Sequence, residues 1–525
     1  MDSFFKEWAP DWLIRLTIFL VLMPGLLVFA LYFSNISEAG GYYGIEPADV
    51  QFSIVIMYAA MVSFFPVDDR FFKYLKPKPY FIAATLINMA LYYICGITRD
   101  PDVLMICRFL QGLSCSMLCN FCLNLIFYKL PQQRARALGY GVFYGVIQAS
   151  IPVCAIFCSW ILYHYEFNHL FYLLIFMQIP GVVLMLLIVK NIRIKKKFPL
   201  YQLDWVSYIF FAFILCSIGY ILVYGQQLNW FSAQKIRLLS LAVIISAGLF
   251  SYRQLHLKRP LIQLRLLQFA NFRNGLLLLA LYYICKGTTG FTYTFAQQIL
   301  GLDPIHLIPF WGVNIAGIVL GMAIAVRFVL LKTEAKILWI TGFLSLLIFH
   351  LLMYFLFSAN AEDKQLYLPL FIQGFGTGWL MVPLVVFLVS AAPLSMVAST
   401  PFIGIVSRFL GLSAGIAIGN YFHLYYKSIH FNNFRQYVTA LNPLYTEKIN
   451  DLQSGVSYSG NSMGNTQGIA AALLNKSVAN QVFLRSAMDY YSLMILMISV
   501  IIILIIFLPG VKQVLLVFRS KVIPY

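Results

Sequence analysis

Arg108, Lys286 and Arg408 each sit inside a run of apolar residues long enough to cross a bilayer as one helix. A cation among lipid tails costs several kcal/mol or more, so it normally faces a protein interior or a wet cavity, where it can hold an anion or relay a proton. Arg108 and Gln111 are three residues apart, which puts them on one helical face. Gly112, Ser114 and Ser116 follow, small enough to let a neighbouring helix come close. Lys286 lies about ten residues inside its run, near mid-membrane at ~1.5 Å per residue and too deep for easy snorkelling. Arg408 can lock two helices together as readily as it can touch a ligand, and Arg108 can serve as a helix lock as well. Tyr140, Tyr144 and Gln148 recur at helical spacing and can either line the same cavity or pack helices together.

The acids behave differently. Glu166, Asp204 and Asp489 fall at the ends of apolar runs, and no acid is expected near the middle of one. The chain therefore pairs buried positive charge with no obvious buried counter-charge, which suits an anionic ligand or a ligand carboxylate. Metal and cofactor chemistry finds no support. The seven histidines are scattered, the nine cysteines form no disulfide framework, and no dinucleotide fingerprint occurs. Cys115, Cys119 and Cys122 share a helix face and are read as small packing residues, so no metal site and no cofactor are expected.

The elements that must position these residues are helices. Of 525 residues 61% are hydrophobic and only 11% charged, and the mean hydropathy is +0.81, a membrane-protein composition. A net charge of +18 is the surplus that cytoplasmic loops of such a protein carry, and nothing in the pattern suggests nucleic acid. Apolar runs of spanning length number about fourteen, from Trp12–Ser34 through Leu276–Leu300 to Met488–Leu508. The polar stretch from Lys427 to Leu484 reads as a loop. Taking alternate loops as cytoplasmic gathers most Lys and Arg on one side, among them Lys73, Lys76, Lys78, Arg134, Arg136, Lys195, Lys196 and Lys512. Both termini are then cytoplasmic, and the 427–484 loop faces out.

Several motifs resemble those of one family. Leu104, Arg108, Gln111 and Gly112 resemble the fourth-helix motif of the major facilitator superfamily. Asp69-Arg70-Phe71-Phe72-Lys73 is similar to its motif between the second and third helices, read as a loop here, with Phe72 where glycine is usual. More specific features resemble the fourteen-helix drug–proton antiporters. Gln178 and Pro180 fall where that group ends its sixth helix on Asn-Val-Pro. Leu203-Asp204-Trp205, Trp230 and Pro260-Leu261-Ile262 frame an extra helix pair. Gly374, Gly376, Gly378 and Pro383 match the twelfth span, Arg408, Gly411 and Gly415 the thirteenth, and Gln481 and Asp489 the last. The chain departs from the group in its first helix, where Leu22-Met23-Pro24-Gly25-Leu26 carries no acid, and in its fifth, where Pro152 is the main survivor of a glycine-rich motif.

The resemblance implies an all-α membrane protein of two six-helix bundles with an extra helix pair between them, divided as 1–190, 191–260 and 261–525. It implies alternating access around a central cavity and, with the charges above, secondary transport of small amphipathic or anionic compounds by an exporter that is not an enzyme. An importer or exchanger of organic anions, or a transporter-like protein without proton coupling, remains an alternative. The expected pathway residues are Arg108, Gln111, Tyr144, Gln148, Lys286 and Arg408, with Asp69, Arg70 and Lys73 as a cytoplasmic gate. Proton coupling would use an acid at a helix end, Glu166 or Asp489, or Lys286 itself. The expected location is the cell membrane, the inner one in a Gram-negative cell, and docking of a periplasmic adaptor protein on the 427–484 loop is left open.

Overall fold

A chain this apolar can keep its backbone polar groups satisfied in lipid only by forming helices or a closed barrel, and it forms helices. The computed structural model describes residues 4–129, 135–192, 203–393, 395–439, 441–458 and 463–508. The basic residues Arg134, Lys195, Lys196 and Lys512, which entered the orientation above, lie outside them, and Arg136 is described only as part of its helix. In order come α1 (Asp11–Ser34), α2 (Ile36–Tyr43), α3 (Pro47–Tyr74), α4 (Pro77–Ile97), α5 (Pro101–Lys129), α6 (Ala135–His164) and α7 (His169–Ile188). Then come α8 (Trp205–Tyr224), α9 (Gln234–His256), α10 (Ala270–Lys286), α11 (Thr289–Gln298), α12 (Ile308–Leu330) and α13 (Ala335–Leu356). The last are α14 (Tyr367–Ser390), α15 (Thr400–Tyr421), α16 (Lys427–Arg435), α17 (Pro443–Tyr458) and α18 (Met463–Phe507). Thirteen helical stretches among the described residues are long and apolar enough to span a membrane. The pair α10 and α11 covers a further apolar run, in keeping with about fourteen crossings.

The helices sort into two packed groups. In the first, α1 packs on α5, α6 and α7, and α5 packs on α3 and α4. In the second, α14 packs on α12 and α13, α13 on α18, and α10 on α15. The pair α8–α9 leans on α3, and the two groups meet where α6 touches α12 and α14 and where α3 touches α15. Helices in lipid gain nothing from hiding apolar surface, so close backbone contact through small residues holds them together. At α12–α14 a Cβ on Gly374 would lie 2.2 Å from the Asn314 carbonyl oxygen, and one on Gly378 would lie 2.4 Å from that of Ile318. These two glycines of the twelfth-span motif therefore let two backbones touch.

The structure corrects the sequence reading at four places. The second span does not stop at Val67. Helix α3 continues to Tyr74, so Asp69, Arg70 and Lys73 sit on its last turns rather than in a loop. No residue from 68 to 74 breaks a helix, and Lys73 reaches back one turn to Asp69. The ninth run is broken at Gly287 and Thr288, directly after Lys286. The thirteenth, expected over Thr400–Tyr426, does not stop at Tyr426 but passes through a π-turn over Phe422–Tyr426 straight into α16. The segment read as a loop from 427 to 484 is mostly helical, comprising α16, α17 and the first half of α18. Its Asn, Ser and Gly content masked the helical period, while packing of α16 and α17 against α18 supplies the contacts.

The extra pair is fixed at its open end by charge. Asp204 caps α8 by accepting from the Ser207 backbone N–H (3.1 Å), and Arg253 on α9 donates to the same carboxylate at 2.8 Å. Burial pushes that carboxyl up, but these hydrogen bonds and the arginine charge outweigh it and hold its pKa below the ordinary aspartate value. The hairpin between α8 and α9 turns on Asn229 and Trp230, both with positive φ (53° and 51°).

Candidate functional site

A central cavity of about 1320 Å³ of empty space, its mouth included, opens between the two helix groups. Helices α1, α3, α5 and α6 wall it on one side and α10, α12, α14 and α15 on the other. Its surface is mostly apolar and aromatic, with Phe29, Phe33, Phe65, Phe143 and Trp311 among the lining. Two cations, Lys286 and Arg408, project into this apolar wall, and no Asp or Glu stands among the described lining residues.

Helix α6 presents the partners of both cations. Lys286 Nζ donates to Gln148 Oε1, and Gln148 Nε2 in turn donates to the Tyr282 hydroxyl at 2.6 Å. Tyr282 completes the chain by donating to the Thr377 carbonyl on α14 (3.0 Å). One helical turn back, Tyr144 accepts from Arg408 Nη2 at 2.6 Å, and the guanidinium carbon lies 4.6 Å from the centre of the Tyr144 ring. Arg408 is 6% exposed and its Nε has no hydrogen-bond partner. The structure thus brings Tyr144, Gln148, Lys286 and Arg408 together at one cavity wall.

The break after Lys286 is held in place from behind. His350 on α13 meets the Thr288 hydroxyl through Nε2 at 3.1 Å, and the Tyr491 hydroxyl on α18 donates to the Thr288 carbonyl at 3.1 Å. Non-helical backbone at membrane depth survives only where protein or a cavity receives its polar groups. Here the Tyr491 hydroxyl meets the Thr288 carbonyl, and the broken turn itself, through Gly287, lines the cavity.

Arg108 and Gln111 go elsewhere. Arg108 is fully buried inside the first group, off the cavity. Its Nε donates to the Ser53 carbonyl (3.2 Å), and Nη1 donates to the Val28 carbonyl (3.1 Å) and to Gln111 Oε1 (2.9 Å). The Tyr32 ring covers it, 4.3 Å from its guanidinium carbon. It ties α1, α3 and α5 together. At the far end of α3, Asp69 pairs with Lys73, and Arg70 Nη2 donates to the Pro260 carbonyl at 3.1 Å, joining α3 to the segment after the extra pair.

Neither helix-end acid lines the cavity. Glu166 is exposed, and Asp489 pairs with His430 Nε2 at 2.6 Å. The sequence reading missed Asp68, which is completely buried and accepts from the Tyr80 hydroxyl (2.6 Å) and Asn120 Nδ2 (2.9 Å). Tyr58, Tyr283, Asn314, Gln373 and Thr377 also line the cavity without having been singled out. Asn314 and Gln373 bond each other across α12 and α14 (2.6 Å), a pairing of distant residues that no local pattern shows.

Two helix groups around a central cavity, with a broken helix at its wall, are an architecture of transport. The sequence model of the Major Facilitator Superfamily matches residues 18–419. The chain belongs to the Major Facilitator Superfamily. It is a multi-pass membrane protein and a transporter. The multidrug export protein EmrB of Escherichia coli K12 is 22% identical over 426 residues, 78% of each chain. The fatty acid resistance protein FarB of Neisseria gonorrhoeae is 22% identical over 418 residues, 77% of each. The colistin resistance protein EmrB of Acinetobacter baumannii is 21% identical over 493 residues, covering 91% of this chain and 93% of its own. The resemblance to the fourteen-helix drug–proton antiporters stands with these EmrB-type relatives. Among solved structures, a POT family transporter bound to 5-aminolevulinic acid superposes with TM-score 0.59 at 10% identity, over 95% of this chain and 97% of that one. The human organic anion transporter MFSD10 superposes with TM-score 0.51 at 11% identity, over 79% and 94%. At such identity these likenesses concern the fold.

Proposed function

We propose that this member of the superfamily is a secondary active exporter of small amphipathic or anionic compounds, working by alternating access. One observation carries the reading: the cavity between the helix groups is apolar and aromatic, with two cations and no acid among its described lining residues. Apolar walls with few, fixed polar groups are what an amphipathic ligand needs. The relatives' names, a multidrug export protein and a fatty acid resistance protein, agree with outward traffic of such compounds. The Arg70 bond to the Pro260 carbonyl supports a cytoplasmic gate role for Asp69, Arg70 and Lys73.

The charge distribution favours the cell membrane, the inner one in a Gram-negative cell, with both termini cytoplasmic. In that orientation α16, α17 and the start of α18 face outward, a surface on which a periplasmic adaptor protein can dock. The division into 1–190, 191–260 and 261–525 belongs to the same reading. Flux into proteoliposomes under an imposed pH gradient, across a panel of anionic and cationic amphipaths, tests the function. Gradient-dependent movement of amphipaths is expected. Absence of flux for every compound overturns the exporter reading.

A further inference from the structure

The geometry points to a single anionic head-group site between Lys286 and Arg408, whose occupation by an amphipathic anion breaks two bonds that now tie the halves of the transporter together. This rests on the transporter reading above and names the ligand's chemistry and the way it couples to movement.

Both cations belong to the second helix group, on α10 and α15, yet each is satisfied by a side chain of the first. Lys286 reaches Gln148, and Arg408 reaches Tyr144, one turn apart on α6. The acceptors are an amide oxygen and a hydroxyl, both neutral. Each cation is therefore held by a bond weaker than a carboxylate, sulfonate or phosphate oxygen would make, since an anionic acceptor adds an attraction between full opposite charges that a neutral oxygen lacks. Arg408 also keeps Nε without a partner at 6% exposure, a buried donor at the cavity wall. The described lining offers no acid to compete for either cation.

An amphipathic anion entering the cavity meets these groups in a fixed arrangement. Its tail lies among the aromatic walls, and its oxygens take the free Nε of Arg408 and the ammonium of Lys286 from their neutral partners. Gln148 and Tyr144 are then released, and with them two of the bonds across the interface. The anion binds best where those bonds are already broken, so its binding shifts the population toward separated halves. A cation or a neutral amphipath cannot make this exchange and leaves both bonds in place. Charge selectivity and the opening movement thus come from the same four side chains.

The test uses the full-length protein in lipid nanodiscs with decanesulfonate and decyltrimethylammonium, equal in tail and opposite in permanent charge. Wild type is expected to bind the sulfonate roughly tenfold or more tighter than the ammonium compound. Arg408→Gln and Lys286→Gln should each remove most of that preference, and Arg408→Lys should restore part of it. Tyr144→Phe keeps the ring and deletes only the competing hydroxyl, so it should tighten sulfonate binding several-fold and leave the ammonium compound unchanged. Equal binding of the two probes by wild type, or weaker sulfonate binding in Tyr144→Phe, overturns the proposal. Flux in proteoliposomes separates the two readings. Sulfonate-selective binding without flux of any compound leaves this site standing and removes the exporter. Flux of both probes with equal affinity does the reverse.

Discussion

Arg108 and Arg408 are both buried arginines covered by a tyrosine ring, and both stand in motifs that resemble the same family. Their partners set them apart. Arg108 spends Nε and Nη1 on carbonyls and an amide of its own helix group, joining α1, α3 and α5, and its unpartnered Nη2 lies buried inside that group, off the cavity. Arg408 donates Nη2 to a hydroxyl from the other group and keeps Nε without a partner at the cavity. Lys286 follows the pattern of Arg408. A buried charge whose bonds stay within one rigid body is a lock, whereas one whose bonds cross between bodies can be exchanged for a ligand. The difference lies in the address of the acceptor rather than in the depth of the cation.

The sharpest way to break that comparison is to remove Arg108. Arg108→Gln leaves the Ser53 and Val28 carbonyls without their donor, and should cost about 2–4 kcal/mol of stability in detergent unfolding. Ligand affinity of the folded protein should not change. Unchanged stability with lost affinity would move Arg108 into the substrate pathway.

The next effect concerns packing near each arginine. A Cβ on Gly112, one turn from Arg108, would lie 2.2 Å from the Met57 carbonyl oxygen, so Gly112→Ala must push α3 and α5 apart. A cost of about 1–3 kcal/mol is expected by thermal unfolding. At Gly145, beside Tyr144, the first heavy atom a Cβ would meet is 3.8 Å away, and Gly145→Ala should leave the melting temperature within error. Equal costs at both positions would mean that the lock is packed no more tightly than the cavity wall.

The smallest effect lies outside the spans, at Asp204 and Arg253. Their pairing holds the Asp204 carboxyl below its ordinary value in the folded state. The stability it contributes is therefore present above the unfolded carboxylate value, about 3.9, and is lost as pH falls through the lower folded one. Asp204→Asn should flatten this acid-side loss and cost about 1 kcal/mol at neutral pH through the lost charge pair with Arg253. A pH profile of unfolding checks both. An acid limb unchanged by the substitution would assign the loss to other carboxylates.

The sequence made the helices legible because each apolar run has spanning length and lipid leaves its backbone no other choice. It also made Lys286 legible, since a lysine so deep in a run has little access to either interface. It did not show that Arg108 and Arg408 point to different places. Position along a helix gives depth, while the direction of a face depends on which helix packs there. Asp68 stayed hidden for the same reason, because its partners Tyr80 and Asn120 come from α4 and α5. The polar lining at Asn314, Gln373 and Thr377 carries no charge to mark it, and the helical 427–484 segment lacks the apolar period by which helices are read.

Photolabelling tests the central claim most directly. An alkanesulfonate carrying a diazirine on its tail would be activated on the protein in nanodiscs, and the labelled peptides mapped by mass spectrometry. Labels should fall on residues 143–152 of α6, on 283–289 around the helix break and on 401–412 of α15, and excess decanesulfonate should suppress them. Labels gathered around Arg108 on α1, α3 and α5, with none at the helix break, would contradict the assignment of Lys286 and Arg408 as the site.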